Sequence, residues 1–267
     1  MFEGFQLPET SEVLGTFQDR LATSAMVSYS QNGEDVVLLR LFGDLSCGTY
    51  VEVGAAHPVM NSVTFSLYLR GWSGICVDAV DAYEDLHATL RPKDVRVAAL
   101  VGTASEPVPF VVRENTNEST SNPELVRSYL SSSSNPRVTG LVPQTLNHII
   151  SRVPQFDHFD LLVLDVEGSE LDVLRSLDFN RFRPKIVLCE SVEPPVAWEG
   201  QGIPSNQRVS LANFLESYGY VELLFDGVNS FFVQNEDYEE LKDVAYPASF
   251  YDDFIHWKVA RLVSAVE

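Results

Sequence analysis

An α/β fold, with helices packed on both faces of a largely parallel sheet, is what this 267-residue sequence predicts, and three observations predict it. The runs GTYVEVGAAHP at 48–58 and GWSGICVDAVDA at 71–82 are compact, apolar and bounded by glycine. Runs of that kind read as strands buried on both faces, as in parallel sheets. A helix-compatible segment separates them, and the alternation recurs at LLVLDVEGSELDVLRSL and KIVLCESV, so strand–helix–strand units repeat. Finally, YVELLFDGVNSFFVQ places Asp226-Gly227 between two apolar runs, a hairpin signal that closes the sheet with an antiparallel pair. The order is that of a Rossmann-like sheet with a reversed final strand. Ligands of such sheets bind in the crevice beyond the carboxyl ends of the strands, where Glu52, Gly54, Asp78 and Asp81 fall.

The elements follow in order. Residues 1–29 read as an irregular lead-in, and 30–245 as the main domain. In NGEDVVLLRLF, Asn32 is expected to cap a helix, with Asp35 near the capping-box position. A strand at 49–54 leads to a helix over 61–70 that Gly71 ends. A strand at 74–78, the helix DAYEDLHATLR and a strand at 95–101 come next, with PFVVRE at 109–114 as a flanking strand. From 115 to 139 Ser, Asn and Pro dominate and periodicity is weak, which marks a mobile loop, read equally as a lid or binding element and as plain disorder. Then come the helix PQTLNHIISRV, the strand LLVLDV and a helix that Ser169 could cap. After KIVLCESV, a helix over 207–218 precedes the closing hairpin, and 246–267 carries an amphipathic C-terminal helix.

Composition narrows the function. Apolar residues make up 45% of the chain, enough for a packed core, and the formal net charge is −20. Such an acidic chain is a poor partner for nucleic acid or anionic membranes, which demand Lys and Arg. No apolar stretch is long enough to span a bilayer, and the N-terminus lacks the basic and apolar regions of a signal peptide. A cytoplasmic protein is expected. Cys47, Cys76 and Cys189 are too scattered for a zinc site or a disulfide framework and read as reduced thiols. No sequence feature sets an oligomeric state.

The crevice itself selects a ligand class. Its first turn, V-G-A-A-H-P, has Gly54 as its single glycine, and neither GxGxxG nor GxxxxGK[ST] occurs. A ligand without phosphates tolerates that turn. Asp78 ends the second strand a little over twenty residues after Gly54, the placement of a carboxylate that holds both ribose hydroxyls. With Glu52 nearby, the site would repel a pyrophosphate and suit a nucleoside carrying positive charge. S-adenosylmethionine is such a ligand.

The runs SQNGED at 30–35, VEVGAAHPVMNSVTFSLYLRGWSGICVDA at 51–79 and FDLLVLDVEGSELDVL at 159–174 resemble the FkbM-type family of S-adenosylmethionine-dependent methyltransferases. VLCESVEP and GYVELLFDGVNSFFV also sit where that family has its fifth strand and closing hairpin, so the resemblance spans about 28–235. It implies a seven-stranded class I methyltransferase fold and methyl transfer to a hydroxyl of a sugar, glycan or natural-product acceptor. Gly54, Ala55 and His57 would line the methionine end of the cofactor, supported by Glu52, and Asp78 with Ala79 would hold the ribose. Gln31 and Glu34 would close over the cofactor, with Asp165 and Glu167 facing the reacting centre. DAVDAYED after the second strand and the serine-rich insert near 117–136 depart from the family pattern.

A hydroxyl is a poor nucleophile, so a general base within hydrogen-bond reach is useful. Asp165, Glu167, Glu190 and His57 are the candidates, although a His in this turn can equally shape it. Asp165, Glu167, Glu190 and Glu193 could instead hold Mg²⁺, but no dedicated ligand spacing favours a metal. Two other readings remain: a nicotinamide-dependent oxidoreductase on a similar sheet, and a non-catalytic methyltransferase-like binding module. The partner of the favoured reading is a small-molecule or saccharide acceptor.

Overall fold

The computed structural model describes residues 26–43, 45–113, 119–131, 136–191 and 206–264. Most of the expected lead-in, and Glu193, lie outside the described residues. In chain order the strands are β1 (Met26–Ser28), β2 (Thr49–Val53), β3 (Ser73–Asp78), β4 (Val95–Ala98), β5 (Val108–Val112) and β6 (Arg137–Leu141). They continue with β7 (Leu161–Leu164), β8 (Ile186–Glu190), β9 (Tyr220–Phe225), β10 (Asn229–Gln234) and β11 (Phe254–His256).

Seven of these form the central sheet in the order β4-β3-β2-β7-β8-β10-β9. The first five run parallel, and β10 lies antiparallel between β8 and β9. This is the expected Rossmann-like sheet with its reversed strand. The strand order reverses between β2 and β7, so their carboxyl ends open a crevice at the switch point.

Side-chain alternation sorts each strand into two cores. Val51, Val53, Ile75, Val77, Leu162 and Leu164 face one side, with Leu146, Ile150 and Leu174 packed on them. Tyr50, Cys76, Leu161 and Val163 face the other, against Val37, Leu38, Leu67 and Trp72. Glu52 shares the face of Tyr50, so this register drives a carboxylate into the second core. Cys76 and Cys189 are buried free thiols, and Cys47 is an exposed one.

The first described helix, Glu34–Phe42, departs from expectation at its start. Its N-cap is Gly33, at φ 81°, without a side-chain cap. Asn32 instead donates its N–H to the Glu34 carboxylate. Asp35 is buried and accepts from Ser28 Oγ, Ser30 Oγ and the Tyr29 N–H, which commits it to anchoring the 28–30 segment. Ser169 is the N-cap of Glu170–Arg175, but its hydroxyl meets Ser121 Oγ at 3.2 Å and makes no cap bond. The Glu170 carboxylate satisfies the N–H groups of Val166 and Gly168 just ahead of that helix.

Two segments are reassigned outright. Val108–Val112 does not flank the main sheet but pairs antiparallel with β6 in a separate two-stranded hairpin. Within the span read as a mobile loop, Pro123–Ser131 is helical and buries Leu125 and Val126. The C-terminal segment is also more varied than one helix: β11 pairs in parallel with β1 before the helix Trp257–Ser264 begins. No described helix is long and apolar enough to cross a membrane.

Candidate active site

The crevice above β2, β3, β7 and β8 is a cavity of about 970 Å³. Its floor begins at Gly54, with φ 88°, where the chain turns off β2. A Cβ here would lie 1.7 Å from the Asp165 carbonyl oxygen, so only glycine lets the ends of β2 and β7 approach this closely. Ala56, at φ 39°, continues the turn and donates its N–H to Asp78 Oδ2 at 2.8 Å. Asp78 Oδ1 accepts from the Val80 N–H at 2.7 Å. Asp78 thus ties the turn after β2 to the turn after β3. A carboxylate has about four acceptor positions, so roughly two remain for a ligand.

His87 supports this turn from behind. Burial lowers its pKa to about 4, and Nε2–H of the neutral ring donates to the Ala56 carbonyl at 3.0 Å. His57 serves the same loop. Its Nδ1 accepts the N–H groups of Val59 and Met60 at 3.0 and 2.9 Å, which places the ring proton on Nε2. Burial also lowers its pKa. His57 therefore faces the cavity as a donor and a turn former, and the geometry gives it no free basic nitrogen.

Glu52 is buried at the base of the cavity and accepts from Thr64 Oγ1 at 2.7 Å. Arg91 Nη2 donates to the same Thr64 oxygen at 2.6 Å and to Tyr50 OH at 2.7 Å, while Nε pairs with Asp94 at 2.6 Å. Burial pushes the Glu52 carboxyl up and Arg91 draws it back down. Burial also works against the Arg91 charge, but Cys76, Tyr50, Glu52 and Asp94 together hold it in place. Every polar group in this cluster has a partner, the condition under which a buried ion pair is tolerated.

The acid wall stands on β7 and β8. Asp165, Glu167 and Glu190 bring carboxylate oxygens within 4.8 Å of one another. Glu167, at φ 56°, and Gly168, at φ 91°, form a tight turn that Glu170 fastens from beneath. Thr120 Oγ1 donates to the Glu167 carbonyl and Asn122 Nδ2 to that of Gly168, so the insert grips the turn from above. The Asp165 carboxyl opens into the cavity, yet surrounding protein and then Glu170, Glu34, Glu52 and Asp78 push its pKa up to about 7. Burial drives Glu190 up further, with Asp165 and Glu167 adding to the shift. Carboxylates this close share protons and titrate together.

The crevice thus gathers Gln31, Glu52, Gly54, Ala55, His57, Asp78, Ala79, Asp165 and Glu167, and Glu190 joins them. Glu34 is not among the lining residues. It is buried and accepts from Asn229 Nδ2 at 2.8 Å, supporting the loop that carries Gln31. The sequence of the methyltransferase FkbM domain matches residues 52–222 of this chain. The chain belongs to the FkbM methyltransferase family.

That membership replaces the oxidoreductase reading. A search of curated proteins finds no match. Among solved structures, the chain matches an O-methyltransferase from Bacillus cereus in complex with SAH at 10% identity and TM-score 0.37, covering 85% of this chain and 93% of that one. Several residues that line the cavity escaped the sequence reading. Arg113 and Arg137 come from the β5–β6 hairpin, Tyr83 from the turn after β3, and Lys258 from the last helix. None carries a motif, and each reaches the cavity only through tertiary folding.

Proposed function

We propose that this FkbM-family protein is an S-adenosylmethionine-dependent O-methyltransferase acting on a hydroxyl of a small-molecule or saccharide acceptor. The observation that carries the reading is the donor set of the crevice. Asp78 keeps acceptor capacity beside a turn locked by Gly54, and apolar Val80, Leu100 and Val101 lie next to it where a base would stack. Beyond them the wall is acidic, which suits a positively charged ligand. When bound, the cofactor supplies a methyl group on a positively charged sulfur.

The chain's own residues would do the rest. Asp78 and Ala79 hold the ribose, and the Gly54–Ala55 turn brings the backbone close to the methionine end. Gln31 covers it from the N-terminal side. Asp165, poised near neutrality, takes the proton from the acceptor hydroxyl as that oxygen gains the methyl group. Glu190, held higher, keeps its proton and limits the repulsion within the trio. The same trio is where a divalent ion would bind. In this reading the cofactor's charge balances it, so turnover survives chelation; loss on chelation that Mg²⁺ restores would reassign the trio to a metal.

Calorimetric titration with S-adenosylhomocysteine tests the reading. The wild type should bind it and ignore NAD(P). Asp78→Ala should weaken binding by one to two charge-assisted hydrogen bonds, each about 1.5–3 kcal/mol, or roughly tenfold to a hundredfold per bond. Unchanged affinity in that variant would remove the ribose assignment. Binding without turnover across a broad acceptor panel would favour the non-catalytic module.

A further inference from the structure

Three consecutive residues of the insert bind three consecutive residues of the acidic turn. Thr120 Oγ1 donates to the Glu167 carbonyl at 2.8 Å, Ser121 Oγ meets Ser169 Oγ at 3.2 Å, and Asn122 Nδ2 donates to the Gly168 carbonyl at 2.7 Å. The fit is close, since a Cβ on Gly168 would lie 2.9 Å from Asn122 Nδ2. Glu167 has a side chain yet holds φ 56°, a conformation that persists only where surrounding contacts fix it. Glu170 fixes the N–H groups of Val166 and Gly168 from beneath, and the insert fixes the carbonyls of Glu167 and Gly168. Both clamping residues are themselves anchored. Thr120 is buried, exchanges two backbone hydrogen bonds with Val111 of β5, and accepts the Asn122 N–H on its hydroxyl at 2.9 Å. Asn122 directly precedes the helix Pro123–Ser131, and its Oδ1 accepts the N–H groups of Glu124 and Leu125 at 2.9 and 3.3 Å. That is the geometry of a helix N-cap followed by proline at the first helical position. One amide therefore caps the insert's helix with its oxygen and holds the acidic turn with its nitrogen.

We infer that Thr120 and Asn122 are positioning residues of the active site: they hold the turn that bears Asp165 and Glu167 where its carboxylates meet the positive charge of the methyl donor. This rests on the methyltransferase reading and assigns the insert a part in it. Neither residue has to touch the cofactor; each acts through a backbone carbonyl of the turn. Asp165, Glu167 and Ser169 line the cavity, so a shift of this turn moves charge inside it. Charge placement matters there because donor and product differ in it. S-adenosylmethionine carries a cationic sulfur, whereas S-adenosylhomocysteine carries a neutral thioether. An acid wall held in place favours the first over the second, and a slack one discriminates less. The coupling also runs through the helix: unwinding Pro123–Ser131 would free Asn122 from its cap and release Gly168 with it.

The test is calorimetry on the full chain with S-adenosylmethionine and S-adenosylhomocysteine in parallel, alongside melting temperatures. The wild type should bind the cationic compound more tightly, and Asp165→Asn should reduce that preference. Asn122→Ser separates the two jobs of the amide, because serine caps helices as well as asparagine but has no amide N–H to reach Gly168. In Asn122→Ser the preference should fall at least about threefold while the melting temperature holds. Thr120→Val, which removes the hydroxyl and keeps the shape, should lower it in the same way, and Thr120→Ser should restore it. If Thr120→Val does not fold, the contrast between Asn122→Ser and wild type decides. A preference unchanged in Asn122→Ser, or a melting temperature that drops with the preference intact, makes the clamp purely structural and overturns the inference. Equal binding of the two compounds by the wild type, or no effect of Asp165→Asn, overturns it as well, since the acid wall then does not meet the donor's charge. A wild type that binds neither compound is a separate result, which removes the methyltransferase reading and this inference with it.

Discussion

Asp165 concentrates the chemistry of the site in one residue. Its carbonyl oxygen sits against Gly54, its carboxyl faces the cavity, and its pKa stands near neutrality because the surrounding protein desolvates it and other acids lie close by. A base must be ionised to accept a proton, so activity should fall as pH drops below its apparent pKa. We expect kcat/KM to rise with pH through a limb near neutrality, well above the ordinary carboxylate range. Asp165→Asn should lower turnover by at least about a hundredfold, with little change in melting temperature. Equal losses of turnover and stability would make Asp165 a structural residue. Glu167 shares the location but lies in a left-handed turn, so its substitution perturbs the backbone as well as the charge.

At the scale of elements, the junction of β2 and β7 is the critical joint. Gly54→Ala would drive a methyl group into the Asp165 carbonyl, with no flexible side chain to yield. A destabilisation on the order of 3 kcal/mol or more is expected in chemical denaturation, together with loss of cofactor binding. A fully stable, binding-competent variant would show that the strands can part there. The central strands around this joint were readable in the sequence because both faces are buried, which leaves uninterrupted apolar runs such as LLVL in β7 and IVLC in β8. The hairpin Asp226-Gly227 was equally clear, and its Asp226 Oδ1 does accept the N–H groups of Val228 and Asn229. The β5–β6 hairpin was only half legible. Residues 137–141 are mostly exposed or half-buried, so RVTGL lacks the apolar signal that PFVV carries. Arg91 was invisible for another reason. It ends a helix in sequence, and its role exists only where Tyr50, Thr64 and Asp94 converge on it. Glu52 and Asp78 stood out because they interrupt apolar strands; Arg113 and Arg137 interrupt nothing.

For the molecule as a whole, the gathered acids set how stability varies with pH. Glu170 is fully buried, and burial raises its pKa from 4.5 to about 7 against the pull of its hydrogen bonds to Val166 and Gly168. Between those values the folded chain holds a proton that the unfolded chain has released, so stability falls as pH rises through the window. The ligand-free protein should therefore melt at a higher temperature near pH 5.5 than near pH 8. Glu170→Gln should flatten that slope by on the order of 3 kcal/mol between the limits, seen as a stability gain at pH 8 and none at pH 5. A slope unchanged in the variant would show that Glu170 is ionised throughout. The pairing of Met26–Ser28 with Phe254–His256 acts at the same scale. His256 meets the Ser30 carbonyl at 3.0 Å, one residue before Gln31, and two residues after it Lys258 reaches the crevice. The two walls that Gln31 and Lys258 supply, more than two hundred positions apart along the chain, hang from a single zipper. Trimming either flank would slacken both, so damage remote from the chemistry would be felt at the reacting centre.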